Sequence, residues 1–138
     1  MEPKDVYMSK PWLKFYPEGV PHEVEVPDTS VPDIFDKMAD QYSSKTALIF
    51  YGKKIQYGKL KELTDRFAAA LDGLGVAKGD TVALYLLNSP QYIIAYLGAL
   101  KVGAKVTPIS PVYTSKEVKH QIEDSEAKTI VCEDILYD

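Results

Sequence analysis

The chain has 138 residues, 46% of them hydrophobic, which is enough for one domain with a real core. Its net charge of −4 and its lack of any lysine or arginine cluster argue against a nucleic-acid partner. The single cysteine, Cys132, excludes an internal disulfide framework and suits a reducing compartment, and the longest apolar run, about residues 92–100, is too short to span a bilayer.

Residues 1–10 hold no apolar stretch of the kind a secretory leader carries, so the chain reads as a soluble cytoplasmic protein. Residues 1–30 read as an irregular arm. Pro3, Pro11, Pro17, Pro21 and Pro27 exclude a long helix there. The same arm carries Tyr7, Trp12, Leu13, Phe15 and Tyr16, too much apolar surface for a free tail, which predicts that it packs on the body. Trp12 and Phe15 read as anchors rather than as a ligand-stacking pair. Val24 and Val26 alternate with Glu23 and Glu25, a pattern that suits a brief edge strand.

Ser30 caps a first helix with Pro32 and Asp33 in its opening turn, and Ile34, Phe35, Met38 and Tyr42 give it one apolar face. Residues 47–51 and 54–57 read as two strands joined through Gly52-Lys53, a loop with Gly first that fits a type II′ turn. A helix follows over about 58–74. Leu60, Leu63, Phe67, Leu71 and Leu74 form its buried stripe, Lys59, Lys61, Glu62, Asp65 and Arg66 its wet face, and Gly73 and Gly75 its end.

The stretch 75–107 organises the rest. Residues 81–87 have the length of a buried strand. Ser89 and Pro90 open a helix that is apolar nearly all round through Lys101, Gly103 ends it, and Val106 begins another strand. Strand, crossover helix and strand make a right-handed unit with parallel strands. Beyond the loop 108–113, Thr114 and Glu117 form a capping box, Val118 and Ile122 mark a helix face, and residues 129–132 are a third apolar strand. The fold class is α/β. A partial doubly wound sheet with a parallel β-α-β-α-β unit over about 81–132 is preceded by a helix, a β-hairpin, a helix and the arm.

The residues themselves assign no catalytic, cofactor-binding or metal-binding position. Gly73, Gly75 and Gly79 fail the dinucleotide fingerprint in spacing and in context, since a helix precedes them and a strand follows; helix termination and a turn account for them. There is no Walker A loop. His22 and His120 have no ligand partner at metal-binding spacing, and His120 reads as solvent-exposed. Glu117, Glu123 and Asp124 read as a cap and a wet helix face, Tyr92 and Tyr96 as packing, and Cys132 as a buried structural thiol. Ser89 and Ser110 lack the flanking glycines of a nucleophile elbow.

Several runs, in this order and spacing, carry a resemblance: Lys45-Thr-Ala-Leu-Ile, Ile55-Gln-Tyr-Gly-Lys-Leu, Arg66-Phe-Ala-Ala-Ala-Leu, Leu74-Gly-Val-Ala-Lys-Gly-Asp-Thr-Val-Ala, Leu87-Asn-Ser-Pro-Gln-Tyr, Leu97-Gly-Ala-Leu-Lys-Val-Gly-Ala, Pro108-Ile-Ser-Pro-Val-Tyr-Thr and Glu117-Val-Lys-His-Gln-Ile-Glu-Asp-Ser-Glu-Ala-Lys. Together they resemble the N-terminal part of the adenylate-forming, AMP-binding acyl-CoA synthetases. The opening Lys10-Pro-Trp-Leu-Lys-Phe-Tyr-Pro-Glu-Gly-Val-Pro is most similar to the long- and medium-chain fatty-acid–CoA ligases. The resemblance implies a parent that uses ATP, Mg and coenzyme A to adenylate a fatty acid and pass the acyl group to the thiol. It implies that the phosphate-holding loop lies beyond Asp138, so no family catalytic residue is carried onto this sequence.

The expectation is an arm over 1–30 and a truncated N-terminal subdomain over 31–138. Alone it would be inactive, bind none of these cofactors, and self-associate through its open edges. Its partners would be the remainder of the parent and, through it, a fatty acid, with peripheral membrane association compatible with so apolar a substrate. The alternatives are a stand-alone binding or dimerisation module on the same scaffold, and a small doubly wound enzyme whose site the residues do not reveal.

Overall fold

The computed structural model describes residues 7–136. Pro3, counted above among the prolines of the arm, lies outside them. The described arm holds one 3-10 turn, Pro11–Phe15, and no strand at Val24 or Val26. Its apolar side chains are not buried as the composition predicts: Phe15 is 76% exposed and Val26 84%. Contacts within the arm hold it instead, with the Tyr7 and Trp12 rings edge-on at 5.5 Å and Lys10 Nζ 2.9 Å from Glu23. Prolines spaced every few residues break both helical and strand periodicity, so the arm has no continuous face to lay down.

The body starts with helix α1, Val31–Gln41, whose first turn is closed by the Asp33 N–H donating to Ser30 Oγ. Strands β1, Thr46–Phe50, and β2, Lys53–Gln56, pair antiparallel with Phe50 opposite Lys53. The connecting residues are therefore Tyr51-Gly52 rather than Gly52-Lys53. Both have positive φ, 45° and 77°, so the turn is type I′ and not type II′. The right-handed twist of the two strands selects a primed turn; only the register decides which pair of residues must supply it.

Helix α2, Tyr57–Gly73, buries Leu60, Thr64 and Leu71. Leu74, expected in that stripe, is 78% exposed, because it is the C-cap and the chain turns there, with the Val76 N–H closing back on the Leu71 carbonyl at 3.0 Å. Thr64, which no apolar pattern marks, is fully buried and donates its hydroxyl to the Lys61 carbonyl at 2.8 Å.

Then come β3, Thr81–Tyr85; α3, Pro90–Lys101; β4, Lys105–Pro108; α4, Ser115–Asp124; and β5, Thr129–Cys132. β3 ends two residues before the apolar run does; Leu86 stays buried while Leu87 turns out. The strands form a parallel sheet in the order β4-β3-β5. The chain moves outward from β3 to β4, then crosses back over β3 to β5. With one hand for both crossovers, α3 and α4 lie on opposite faces.

The core sits between β3 and α3: Val82, Ala83, Leu84 and Ala99 are fully buried. The α2–α3 contact is close, since a Cβ on Gly98 would lie 2.8 Å from the Phe67 ring and 3.2 Å from the Thr64 carbonyl oxygen. Lys101 at the end of α3 joins three helices. Its ammonium donates to Asp36 of α1 at 2.5 Å and to Asp65 of α2, and it lies over the Phe35 ring. Among the described residues no helix is long and apolar enough to cross a membrane.

Candidate functional site at the strand ends

A parallel sheet that winds both ways leaves a crevice at the carboxyl ends of its strands, where the direction of winding changes. Here that point lies between β3 and β5. The chain leaves β3 through Leu86 and Leu87, and Ser89 caps α3 by accepting the Tyr92 N–H at 3.4 Å. The chain leaves β5 through Glu133 and Asp134. Glu133 ties the two exits together: its N–H donates to the Tyr85 carbonyl at 3.2 Å, and its carboxylate accepts the Leu87 N–H at 3.1 Å. Beside this bridge opens a crevice of about 390 Å³, floored by Phe67, Leu86, Ala95 and Val131 and rimmed by Gln91, Glu133 and Asp134.

Cys132 borders it. Burial first, then the carboxylates of Glu133 and Asp134, push its thiol above the ordinary range, and its Sγ–H donates to the Glu133 carbonyl at 3.2 Å. A thiol so placed is held protonated and is a poor nucleophile.

The sequence-predicted positions do not gather here. His120 stays exposed on α4, beside an open depression of about 620 Å³ with Tyr113, Lys116, Glu117 and Asp124. Glu117 is already committed to the helix start: the Thr114 N–H first, then the Thr114 hydroxyl, hold its carboxyl below the usual range. The glycines act as stops and turns. The Gly75 N–H donates to the Asp72 carbonyl at 2.9 Å, and Asp80 accepts the Ala77 N–H at 2.9 Å. Tyr92 and Tyr96 stack at 6.3 Å against the core. Among the described residues no group of three or more His, Cys, Asp or Glu is placed to hold a metal ion.

Sequence reasoning missed two clusters. One is Glu133, whose partner at Leu87 is 46 residues away. The other is the Lys101–Asp36–Asp65 clamp, although helical periodicity places Asp65 on the wet face of α2. Burial opposes ionisation of Asp65, but the ammonium of Lys101, and then that of Lys61, outweighs it and holds the carboxyl below its usual range. No local spacing rule reaches across three helices.

A crevice with an apolar floor and a carboxylate rim repels phosphate. The family model described as "AMP-binding enzyme" matches residues 35–138.

The chain belongs to the AMP-binding enzyme family.

Within the family, it is 39% identical over 130 residues to a long-chain-fatty-acid–CoA ligase of Bacillus subtilis, covering 93% of this chain and 23% of that one. It is 43% identical over 127 residues to a long-chain-fatty-acid–CoA ligase of Yersinia pestis, covering 90% and 22%. The chain thus spans less than a quarter of the length of these curated relatives. Among solved structures, the N-terminal subdomain of Klebsiella oxytoca NpsA in complex with 3-hydroxyanthranilyl-AMSN superposes with a TM-score of 0.74 at 31% identity, over 77% of this chain and 27% of that one. The α/β fold and the homology to the front part of adenylate-forming acyl-CoA ligases therefore stand.

Proposed function

We propose that these residues are the front scaffold of an ATP-dependent fatty-acid–CoA ligase, which adenylates a fatty acid and transfers the acyl group to coenzyme A. The observation that carries this reading is identity of about 40% to long-chain-fatty-acid–CoA ligases along nine-tenths of the chain. Residues 31–138 form the leading α/β subdomain of such an enzyme, residues 1–30 its entry arm, and the protein works in the cytoplasm.

The family implies ATP, Mg and coenzyme A. The crevice at the strand ends does not fit a triphosphate: Glu133 and Asp134 put carboxylates on its rim, and Glu133 already occupies the Leu87 N–H. No step of the reaction is therefore assigned to residues of this chain. What they supply is a rigid platform: β3 with both faces covered, and strand ends held at a fixed separation by the Glu133 bridge. The outer strands β4 and β5 each leave one edge unpaired within the described sheet. A neighbour in the parent chain would cover such an edge, and the isolated chain would pair through it with a second copy.

The test is ATP–pyrophosphate exchange. The purified 138-residue chain is expected to give none with any fatty acid. Co-expressed with the remaining portion of a homologous ligase, it is expected to restore exchange that depends on a long-chain fatty acid. Exchange by the chain alone after stringent purification overturns the scaffold reading. Restored exchange that prefers a carboxylate without a long acyl tail overturns the substrate class.

A further inference from the structure

The β1–β2 hairpin has two unlike faces. Phe50 stands opposite Lys53 and Leu48 opposite Ile55, so these four side chains share one face, while Ile49 and Lys54 share the other. Leu48, Phe50 and Ile55 are half-buried and Ile49 is 67% exposed, so the first face is the one turned to the body. It does not close on the body. Between it and the start of α3 lies a cleft of about 630 Å³, lined by Phe50, Lys53, Ile55, Leu63, Pro90 and Ile94, with Tyr51 at its mouth. That volume is within the range of about 300–1,000 Å³ typical of small-molecule sites.

Charge and ring geometry narrow what the cleft would hold. Lys53 is the lysine on the cleft face, and it makes no ion pair among the described residues. Lys59 pairs with Glu62, Lys61 with Asp65, and Lys45 lies over the Tyr42 ring. Between Asp40 and Glu62 the sequence holds no acidic residue to neutralise Lys53. A free ammonium beside an apolar lining suits one anionic group carried on an apolar body.

Tyr51 tells what kind of body. It takes the first central position of the type I′ turn at φ 45°, where Asn, Asp or Gly would sit without strain, and its side chain is 92% exposed. Strain held without burial points to a use other than packing. Its ring meets the Phe50 ring edge-on at 4.5 Å, and the two planes, inclined at 65°, form a corner at the mouth of the cleft. A flat ring fits such a corner, with its face on one wall and its edge on the other.

We propose that the cleft beneath the β1–β2 hairpin is a binding site for an aromatic carboxylate. The ligand ring lies in the corner of Phe50 and Tyr51, above Ile55, Leu63 and Ile94, and its carboxylate pairs with Lys53. The proposal rests on the hairpin and the start of α3 and not on the ligase reading, and its test needs neither ATP nor acyl transfer.

The test is a titration of the 138-residue chain with 2-naphthoate, followed by amide shifts in NMR spectra. 2-Naphthol, which lacks the charge, and decanoate, which lacks the ring, are the comparison ligands. Three variants accompany it, each checked for folding by circular dichroism. Lys53→Gln removes the ammonium on the cleft face. Tyr51→Asn removes the ring and relieves the turn. Lys54→Gln removes the ammonium on the opposite face.

The expected result is saturable shifts confined to residues 50–55, 63 and 90–94, with both comparison ligands severalfold weaker. Lys53→Gln should bind 2-naphthoate about threefold more weakly, the scale of an exposed ion pair. Tyr51→Asn should bind it about fivefold more weakly, the scale of one aromatic pair, and Lys54→Gln should bind it unchanged. No binding, shifts centred elsewhere, or 2-naphthol binding as tightly as 2-naphthoate overturns the proposal. So does an equal loss in Lys53→Gln and Lys54→Gln, which would mean unspecific charge attraction. Decanoate binding more tightly than 2-naphthoate overturns the ligand class. Shifts at the same residues that appear on raising the protein concentration without ligand assign the cleft to a second copy, and that outcome also overturns the proposal.

Discussion

The two crossover helices of the parallel sheet make an instructive pair. α3 buries Ala95, Leu97, Gly98 and Ala99, whereas α4, of similar length, buries nothing. Both are well capped at their starts. The difference lies in what each has behind it. α3 is sandwiched between the sheet and α2, with α1 completing the layer through Lys101. α4 covers the other face alone. Val118 and Ile122 are half-buried, a gap of about 420 Å³ remains beside them near Tyr85 and Leu136, and Gln121 anchors the helix by donating to the Pro108 carbonyl at 2.6 Å. Stability therefore concentrates on one face of the sheet, and the other is held by end caps and polar ties.

The sharpest way to break this asymmetry is to truncate one apolar side chain on each side. Leu84→Ala, at a fully buried position, should cost about 3 kcal/mol in urea unfolding, while Ile122→Ala on α4 should cost about 1. Equal costs would show that α4 is as firmly packed as α3. Next in size is Gly98→Ala. The added methyl would meet the Phe67 ring at 2.8 Å and the α2 backbone just beyond, so a loss of about 2 kcal/mol is expected. Phe67→Leu in the same chain should recover only part of it, because the Thr64 carbonyl still stands 3.2 Å away. Full recovery would mean that the ring alone sets the helix spacing.

Lys101→Met tests the clamp that completes the α3 side, and should cost about 1 to 2 kcal/mol at neutral pH. The pH dependence carries the sign. Asp65 is depressed in the folded chain, so its contribution is fully present above the usual carboxylate range and is lost as pH falls below about 4. Without the Lys101 ammonium, Asp65 keeps only the weaker contact with Lys61 at 3.3 Å, so less of the variant's stability depends on Asp65 being ionised. The gap between variant and unaltered chain in thermal melts should narrow on acidification; a constant gap would refute the ion-pair account.

The smallest effect belongs to α4. Glu117→Ala should lower its helicity, read by amide hydrogen exchange at residues 115–118. Glu117 is also depressed, so in the unaltered chain the cap is present at neutral pH and fades as the carboxyl protonates, and the variant should lose that acid dependence.

The strengths and failures of the sequence reading follow the same division. Where a signal is local, it was legible: Ser30, Ser89 and Thr114–Glu117 mark helix starts, Gly103 marks a helix end, and the apolar run from Thr81 marks β3. Where the outcome depends on a partner distant in sequence, it was not. The apolar residues of the arm could not be known to stay exposed, since composition says how much apolar surface there is and not whether a complementary face exists. The turn was misplaced by one residue because Gly52 permits either primed turn and only the Phe50–Lys53 pairing chooses. At the candidate site, no local signal marks Glu133, because its bond to the Leu87 N–H joins residues 46 apart.

From Ser30 onward, the order of residues alone determined the helices and strands, their sequence along the chain and the resemblance to the family, because caps, periodicity and motif spacing are written within a few residues of where they act. Only the tertiary structure decided that β3 lies at the centre, that Lys101 joins three helices, and that Tyr51 must hold a strained turn in the open. Those outcomes are set by contacts between segments far apart in the chain, and the free energy of such contacts is not defined until the segments meet.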